Sequence, residues 1–221
     1  MEIIDTALAI GRFFRSLRFT IARLLAKSPT RDLAPAHLEL LARGRTLRDA
    51  HEEAEEATEV ATAGHVGEKL DLGDAIEALG RAVVDAAARG GDETLYAKLF
   101  KVAPSRVARL DHDKMDFQIG RMLGVLHEAG SPFPERTEAI EAAWARETET
   151  RKAAGVAAAD EATAQGAINA WKEDVNAAQR SIDAALTLRA PRNRRWVRSF
   201  FKQQRSRRRV RRVEGGEAKS G

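Results

Sequence analysis

Apolar side chains recur along this chain at alternating three- and four-residue steps, the spacing of helices that bury a single face. Over residues 3–27, a helical projection gathers Ile3, Ala7, Ile10, Phe13, Phe14, Leu17, Ile21, Leu24 and Leu25 on one side. Arg12, Arg15, Arg23 and Lys27 collect on the other, with Arg18 at the edge, while Leu8 and Phe19 interrupt the polar face. Ser28-Pro29-Thr30 ends this predicted helix, because the residue before a proline resists helical geometry.

A second helix is expected from Pro35 or Ala36 to about Ala63, with Leu40, Leu47, Ala50, Ala54, Ala57 and Ala61 as its seam. Glu52, Glu53, Glu55, Glu56 and Glu59 cover the flanks. Gly64 and Gly67 predict a turn, and a third helix follows from Asp71 to Arg89, stopped by Gly90-Gly91. Residues 92–110 read as short helical pieces separated by Pro104, with Leu95, Tyr96, Leu99 and Phe100 as a dense apolar cluster. Residues 113–128 form another helix showing Met115, Ile119, Met122 and Leu126, and the stretch from Gly130 to Pro134 breaks the chain again.

From Glu135 to Leu188 there is no proline and only two glycines, Gly155 and Gly166. A ladder starting at Ile140 passes without a slip through Ala143, Glu147, Thr150, Ala154, Ala157, Glu161, Ala164, Ile168, Trp171, Val175, Ala178, Ile182 and Ala185. So long a register predicts one helix in a coiled-coil-like contact, roughly 80 Å long at ~1.5 Å per residue. Its first half and the seam of residues 36–63 are both built from small side chains, which permit close approach, so the two are expected to pair antiparallel. The fold class is therefore all-α: an elongated helical bundle with a long coiled-coil-like hairpin helix and a basic C-terminal extension. The expected organisation is an amphipathic basic N-terminal helix (1–28), a helical body (35–188) and an Arg-rich tail (189–221).

Charge changes the picture most at the end of the chain. Between Arg189 and Arg212 lie twelve Lys/Arg and no carboxylate, whereas residues 1–188 hold 24 basic and 31 acidic side chains. The net charge of +4 thus conceals an acidic body and a strongly basic tail that concentrates polyanions. The guanidinium fork donates two hydrogen bonds to a phosphate and keeps its charge near neutrality. The candidate nucleic-acid-binding residues are Arg192, Arg194, Arg195, Trp196, Arg198, Lys202, Arg205, Arg207, Arg208, Arg209, Arg211 and Arg212. Trp196, Phe200 and Phe201 are interleaved with them, as a patch able to stack on bases, to enter a lipid headgroup region, or to dock on the protein's own body.

The chemistry of catalysis finds no foothold in the pattern. Cysteine is absent, which excludes disulfides, thiolate metal sites and thiol nucleophiles. None of His37, His51, His65, His112 and His127 has a Glu three residues before it, so the Glu-x-x-His pairing of bundle metal sites is missing. The acidic run around His51 reads as a solvated face, and Asp111, His112, Asp113 and Asp116 read as helix-start capping. Glu147 and Glu161 read as register-setting or edge positions. No catalytic residue, metal or cofactor is expected.

No apolar run approaches the ~18 residues of a membrane span, and Glu2, Asp5 and the early arginines do not suit a signal peptide. The expected location is the cytoplasm, with membrane-peripheral placement or membership of a virion or other assembly as further options. Preference for Arg over Lys with abundant Ala and Gly suggests a GC-rich bacterium or its phage. The leading expectation is a non-enzymatic scaffolding protein whose tail binds nucleic acid non-specifically. The alternative is a peripheral membrane coiled-coil adaptor, in which the N-terminal helix and the tail together engage an anionic membrane surface. A protein partner or self-association through the helical seams is expected in either case.

Overall fold

A computed structural model describes residues 4–7, 9–128 and 132–201. These form α1 (Ile10–Leu25), a 3-10 turn (Ser28–Leu33), α2 (Pro35–Ala88), α3 (Leu95–Leu99), α4 (Pro104–Val107), α5 (His112–Glu128), α6 (Pro134–Arg189) and α7 (Arg194–Arg198), with no strand among them. The protein is all-α. Helices α2, α4 and α6 each begin on a proline, a position where the missing N–H is not needed and the fixed φ suits the first turn.

Two boundaries differ from the periodicity. Helix α1 starts at Ile10 rather than near residue 3, because the Asp5 carboxylate accepts the Ala7 N–H at 3.0 Å and holds a turn there. Ile3 and Leu8 lie outside the described residues. The turn expected at Gly64 and Gly67 is absent, and α2 runs through both. Each glycine weakens a helix by only ~1 kcal/mol relative to Ala, too little to break a seam that stays in register on either side. The helix stops instead at Gly90, whose φ of 92° needs a residue without a Cβ. There the Gly91 N–H donates to Ala86 and the Gly90 N–H to Ala87, a Schellman ending.

The chain divides into two compact units, residues 1–47 with 167–221, and residues 48–166. In the first unit the apolar side of α1 (Phe13, Phe14, Leu17 and Ile21) packs with Leu41, Trp171 and Val175. Trp171 is wholly buried, its ring centroid 5.2 Å from Phe14 and 6.1 Å from Phe13, and its indole N–H donates to the Leu40 carbonyl at 2.9 Å. Helix α2 comes this close only because residue 44 is glycine: a Cβ there would lie 2.3 Å from the Trp171 ring. The Asn176 amide accepts the Ile4 N–H at 3.2 Å and donates to the Ile4 carbonyl at 2.8 Å, tying down the segment before α1.

The second unit packs Leu72, Ile76, Leu79 and Val83 of α2 against Met115, Ile119, Met122 and Leu126 of α5 and Ile140 and Ala143 of α6. Arg146 donates to Glu68 at 2.9 Å, while Ala50, Ala54 and Ala57 line one open groove with Ala153, Val156 and Ala157, so α2 and α6 run antiparallel within this unit. No residue of 48–71 or 148–166 is fully buried, so the small-residue stretch makes a shallow contact. On α6 the expected positions Thr150, Ala154, Ala157, Glu161 and Ala164 are half-buried. On α2 the seam differs: Ala50 and Ala57 are exposed, and half-buried His51 and Thr58 take their places beside Ala54, Ala61 and His65. The deeply buried Leu72 sets the rotation, and three-four steps back from it land on Glu68, His65, Ala61, Thr58, Ala54 and His51.

Two stability tests follow from this packing. Gly44→Ala is expected to destabilise the protein by ~1–3 kcal/mol through overpacking on Trp171, despite alanine's better helix propensity. Gly64→Ala, where a Cβ meets nothing within 4 Å, is expected to stabilise it by ~0.5–1 kcal/mol. Denaturant melts of the two variants with the same sign would contradict this placement of α2. The second test concerns His37, which is 1% exposed, has no hydrogen-bond partner for either ring nitrogen, and is pushed by burial down to about 4. The unfolded chain takes up a proton near pH 6.5 that the folded chain refuses until about pH 4. Stability therefore falls as pH drops through that window, by up to about 3 kcal/mol. From pH 7 to pH 4.5 the stability of wild type should fall relative to that of His37→Leu, whichever is the more stable at pH 7, and a pH-independent difference would show that His37 protonates freely when folded.

Candidate functional site

Of the twelve candidate polyanion-binding residues, Arg192, Arg194, Arg195, Trp196 and Arg198 lie among the described residues. Lys202, Arg205, Arg207, Arg208, Arg209, Arg211 and Arg212 lie outside them. Pro191 ends α6, and Asn193 then caps α7 by accepting the Trp196 N–H at 3.0 Å. Val197 and Phe200 are wholly buried with Leu24, Ala34, Ile182 and Leu186, and Trp196 stands edge-on to Phe200 at 4.8 Å. Val197 and Phe200 thereby dock on the protein's own body. The aromatics anchor the segment, and Trp196 keeps only part of its surface open.

That anchor turns the arginines outward. Arg192, Arg194, Arg195 and Arg198 are exposed, and among the described residues no carboxylate lies within ion-pair distance of any of them. Arg189 differs, since Asp32 accepts its guanidinium at 2.9 Å and is thereby held below the usual carboxylate range. Arg23 of α1 sits 5.7 Å from the Phe200 ring centroid and donates to Ser199 Oγ at 3.0 Å. The basic side of α1, with Arg12 and Arg15 exposed, therefore adjoins α7 through Arg23. The opposite, apolar side of α1 is occupied within the core. Among the described residues no helix is long and apolar enough to cross a membrane.

A second constellation lies in the other unit, where the sequence pattern gave no metal motif. Glu147 of α6 is 0% exposed, and neither carboxylate oxygen has a hydrogen-bond partner among the described residues. Its Oε1 lies 3.8 Å from His65 Nδ1 on α2 and 3.9 Å from His112 Nδ1 at the start of α5. The three donor atoms lie within 4.8 Å of one another, and the imidazole centroids are 5.6 Å apart. Arg151 Nη1 stands 3.9 Å from Glu147 Oε2, but its hydrogen bonds go to Asp116, with Nη2 to Oδ2 at 2.9 Å. The Trp144 indole N–H also donates to Asp116, at 3.2 Å. Burial alone raises the Asp116 pKa, but the bonds from Arg151 and Trp144 outweigh it and leave the carboxyl below its ordinary value. Burial lowers the His65 pKa, with the attraction of Glu147 opposing and His112 reinforcing that direction.

Of the carboxylates expected at this helix start, Asp113 stands in the first turn of α5, whereas Asp111 and Asp116 are engaged by side chains. Asp111 accepts from Lys114 at 2.9 Å, and Asp116 from Arg151 and Trp144. Glu147 is an interior position rather than an edge. A buried carboxylate without a hydrogen bond is costly, and it calls for a cation beside it. Spacing along the chain could not reveal the cluster, because each of its members comes from a different helix. The one available signal was the register of α2 counted back from Leu72, which places His65 on the seam facing Glu147. No family model matches the chain, and neither a curated protein nor a solved structure matches it.

Proposed function

We propose that this chain is a non-enzymatic scaffolding protein of the bacterial or phage cytoplasm that binds nucleic acid through its basic C-terminal segment, without sequence specificity. The observation that carries the reading is the anchoring of α7: Val197 and Phe200 are buried while Arg192, Arg195 and Arg198 stand exposed with no carboxylate partner among the described residues. Fixed cations spend no binding energy on being released from internal ion pairs, and phosphate oxygens are their natural acceptors. Arg12 and Arg15 extend the same charge along α1 through the Arg23–Ser199 contact. A duplex or single strand suits this surface better than a bilayer, since the apolar side of α1 that would enter lipid packs on Trp171 and Val175 instead.

Binding of the full-length protein to random duplex DNA is expected to fall steeply with salt. With roughly eight charges engaged, log K against log salt should slope at about −7, and sequences of equal length should bind equally. Replacing Arg192, Arg195 and Arg198 together with Gln should flatten the slope by about 2–3 units. The melt should be unchanged, because all three side chains are exposed. Absence of any affinity for DNA or RNA near about 50 mM salt would reject the reading.

A further inference from the structure

We propose that His65, His112 and Glu147 form a binding site for one divalent transition-metal ion of the zinc class, joining helices α2, α5 and α6 of the second unit. The strongest indication is Glu147. Its carboxylate is completely buried, both oxygens lack hydrogen-bond partners among the described residues, and Oε1 faces two imidazole nitrogens at 3.8 and 3.9 Å. His65 Nδ1 is likewise buried without a hydrogen-bond partner. Two buried donors without hydrogen-bond partners among the described residues and a third, solvent-exposed imidazole, all within 4.8 Å of one another, are arranged as a coordination set.

The donor types and their spacing select among metals. Two imidazole nitrogens and one carboxylate oxygen are borderline ligands, suited to zinc and its neighbours rather than to calcium or magnesium. Bonds of ~2.1 Å place neighbouring ligands ~3.4 Å apart at a tetrahedral centre and ~3.0 Å apart at an octahedral one. The Glu147–His65 and Glu147–His112 separations exceed the tetrahedral value by roughly half an ångström or less, and they are farther from the octahedral one. The two imidazole donors, within 4.8 Å of each other, must close to the same spacing, and the exposed His112 side chain is the one that would move. His112, whose side chain is 48% exposed, has room to move and marks the route by which an ion enters.

Local charge is permissive. Arg151 is the cation nearest Glu147, yet Asp116 takes its hydrogen bonds and offsets its charge, which leaves the Glu147 carboxylate for the ion. Three protein ligands leave a further coordination position for water. The competing arrangement is an internal ion cluster in which a protonated histidine and Arg151 neutralise Glu147 and no metal binds.

The test uses the full chain, stripped with chelator and titrated with zinc chloride and, in parallel, cobalt chloride near pH 7.5. One equivalent of zinc should bind per chain and raise the melting temperature, and cobalt should give the intense visible absorption of a tetrahedral centre. His112→Ala, chosen because its side chain is exposed enough to be removed without unfolding, should weaken zinc binding by more than the ~10–100-fold typical of losing a supporting group around a metal. Glu147→Gln should do the same. His127→Ala, which removes an exposed histidine paired with Glu141, should leave zinc binding unchanged. DNA binding by the chelator-treated protein should persist, so failure of the metal site and failure of the polyanion reading give different results. No saturable binding, equal affinity in His112→Ala and wild type, or a weakly absorbing six-coordinate cobalt spectrum would each overturn the proposal.

Discussion

Helical register is the constraint from which the rest of this structure follows. An α-helix of more than fifty residues fixes the azimuth of every side chain once its bulky residues have found their partners. On α6 those residues are Ile140 toward one end and Ile168, Trp171, Val175 and Ile182 toward the other. On α2 they are Leu41 toward one end and Leu72, Ile76, Leu79 and Val83 toward the other. Residues between these anchors take whatever orientation the register assigns. The interior placement of Glu147 and the half-buried placement of His65 are consequences of that rule, and neither reflects a preference of the side chain itself.

The anchors differ in kind from what joins them. Trp171 fills the gap left by Gly44 and satisfies its indole N–H on the Leu40 carbonyl, so burial and hydrogen bonding coincide at one side chain. The stretch between mixes alanines with His51, Thr58, His65, Thr150 and Glu161, and nothing is fully buried across 48–71 and 148–166. Alanine removes little apolar area from water, so each such contact contributes less than a leucine contact at ~25 cal/mol per Å². A polar cluster at the end of this stretch therefore counts for more than it would in a deep core. Glu147 lies there with His65, His112 and Arg151 each within 3.9 Å and none at hydrogen-bond distance.

The basic segment is organised by the same division of labour between buried and exposed positions. Two buried side chains, Val197 and Phe200, hold a helix of five residues on the first unit, and its arginines are exposed as a result. Charge in a polybasic tail is useful to a phosphate-bearing partner only while it is not spent internally. The contrast between Arg189, paired with Asp32, and Arg192, Arg195 and Arg198, paired with none of the described carboxylates, is the physical content of that statement. The exposed arginines of α1 join this surface because Arg23 touches α7.

Periodicity was sufficient for the helical class, for the extent of α6 between its flanking prolines, for α5, and for the stop at Gly90, because each of these depends on local geometry that single residues impose. It was equally sufficient for the amphipathicity of α1 and for the concentration of positive charge after residue 188. It misjudged Gly64 and Gly67, since a glycine's propensity cost is small beside the register maintained by its neighbours. It chose alanines over histidines for the seam of α2 because hydrophobicity, not rotation, was being counted. Where the apolar side of α1 goes, whether Trp196 and Phe200 face a ligand or the core, and that His65, His112 and Glu147 meet were all decided by tertiary packing. These depend on contacts between residues dozens of positions apart, and local spacing holds no record of such distances.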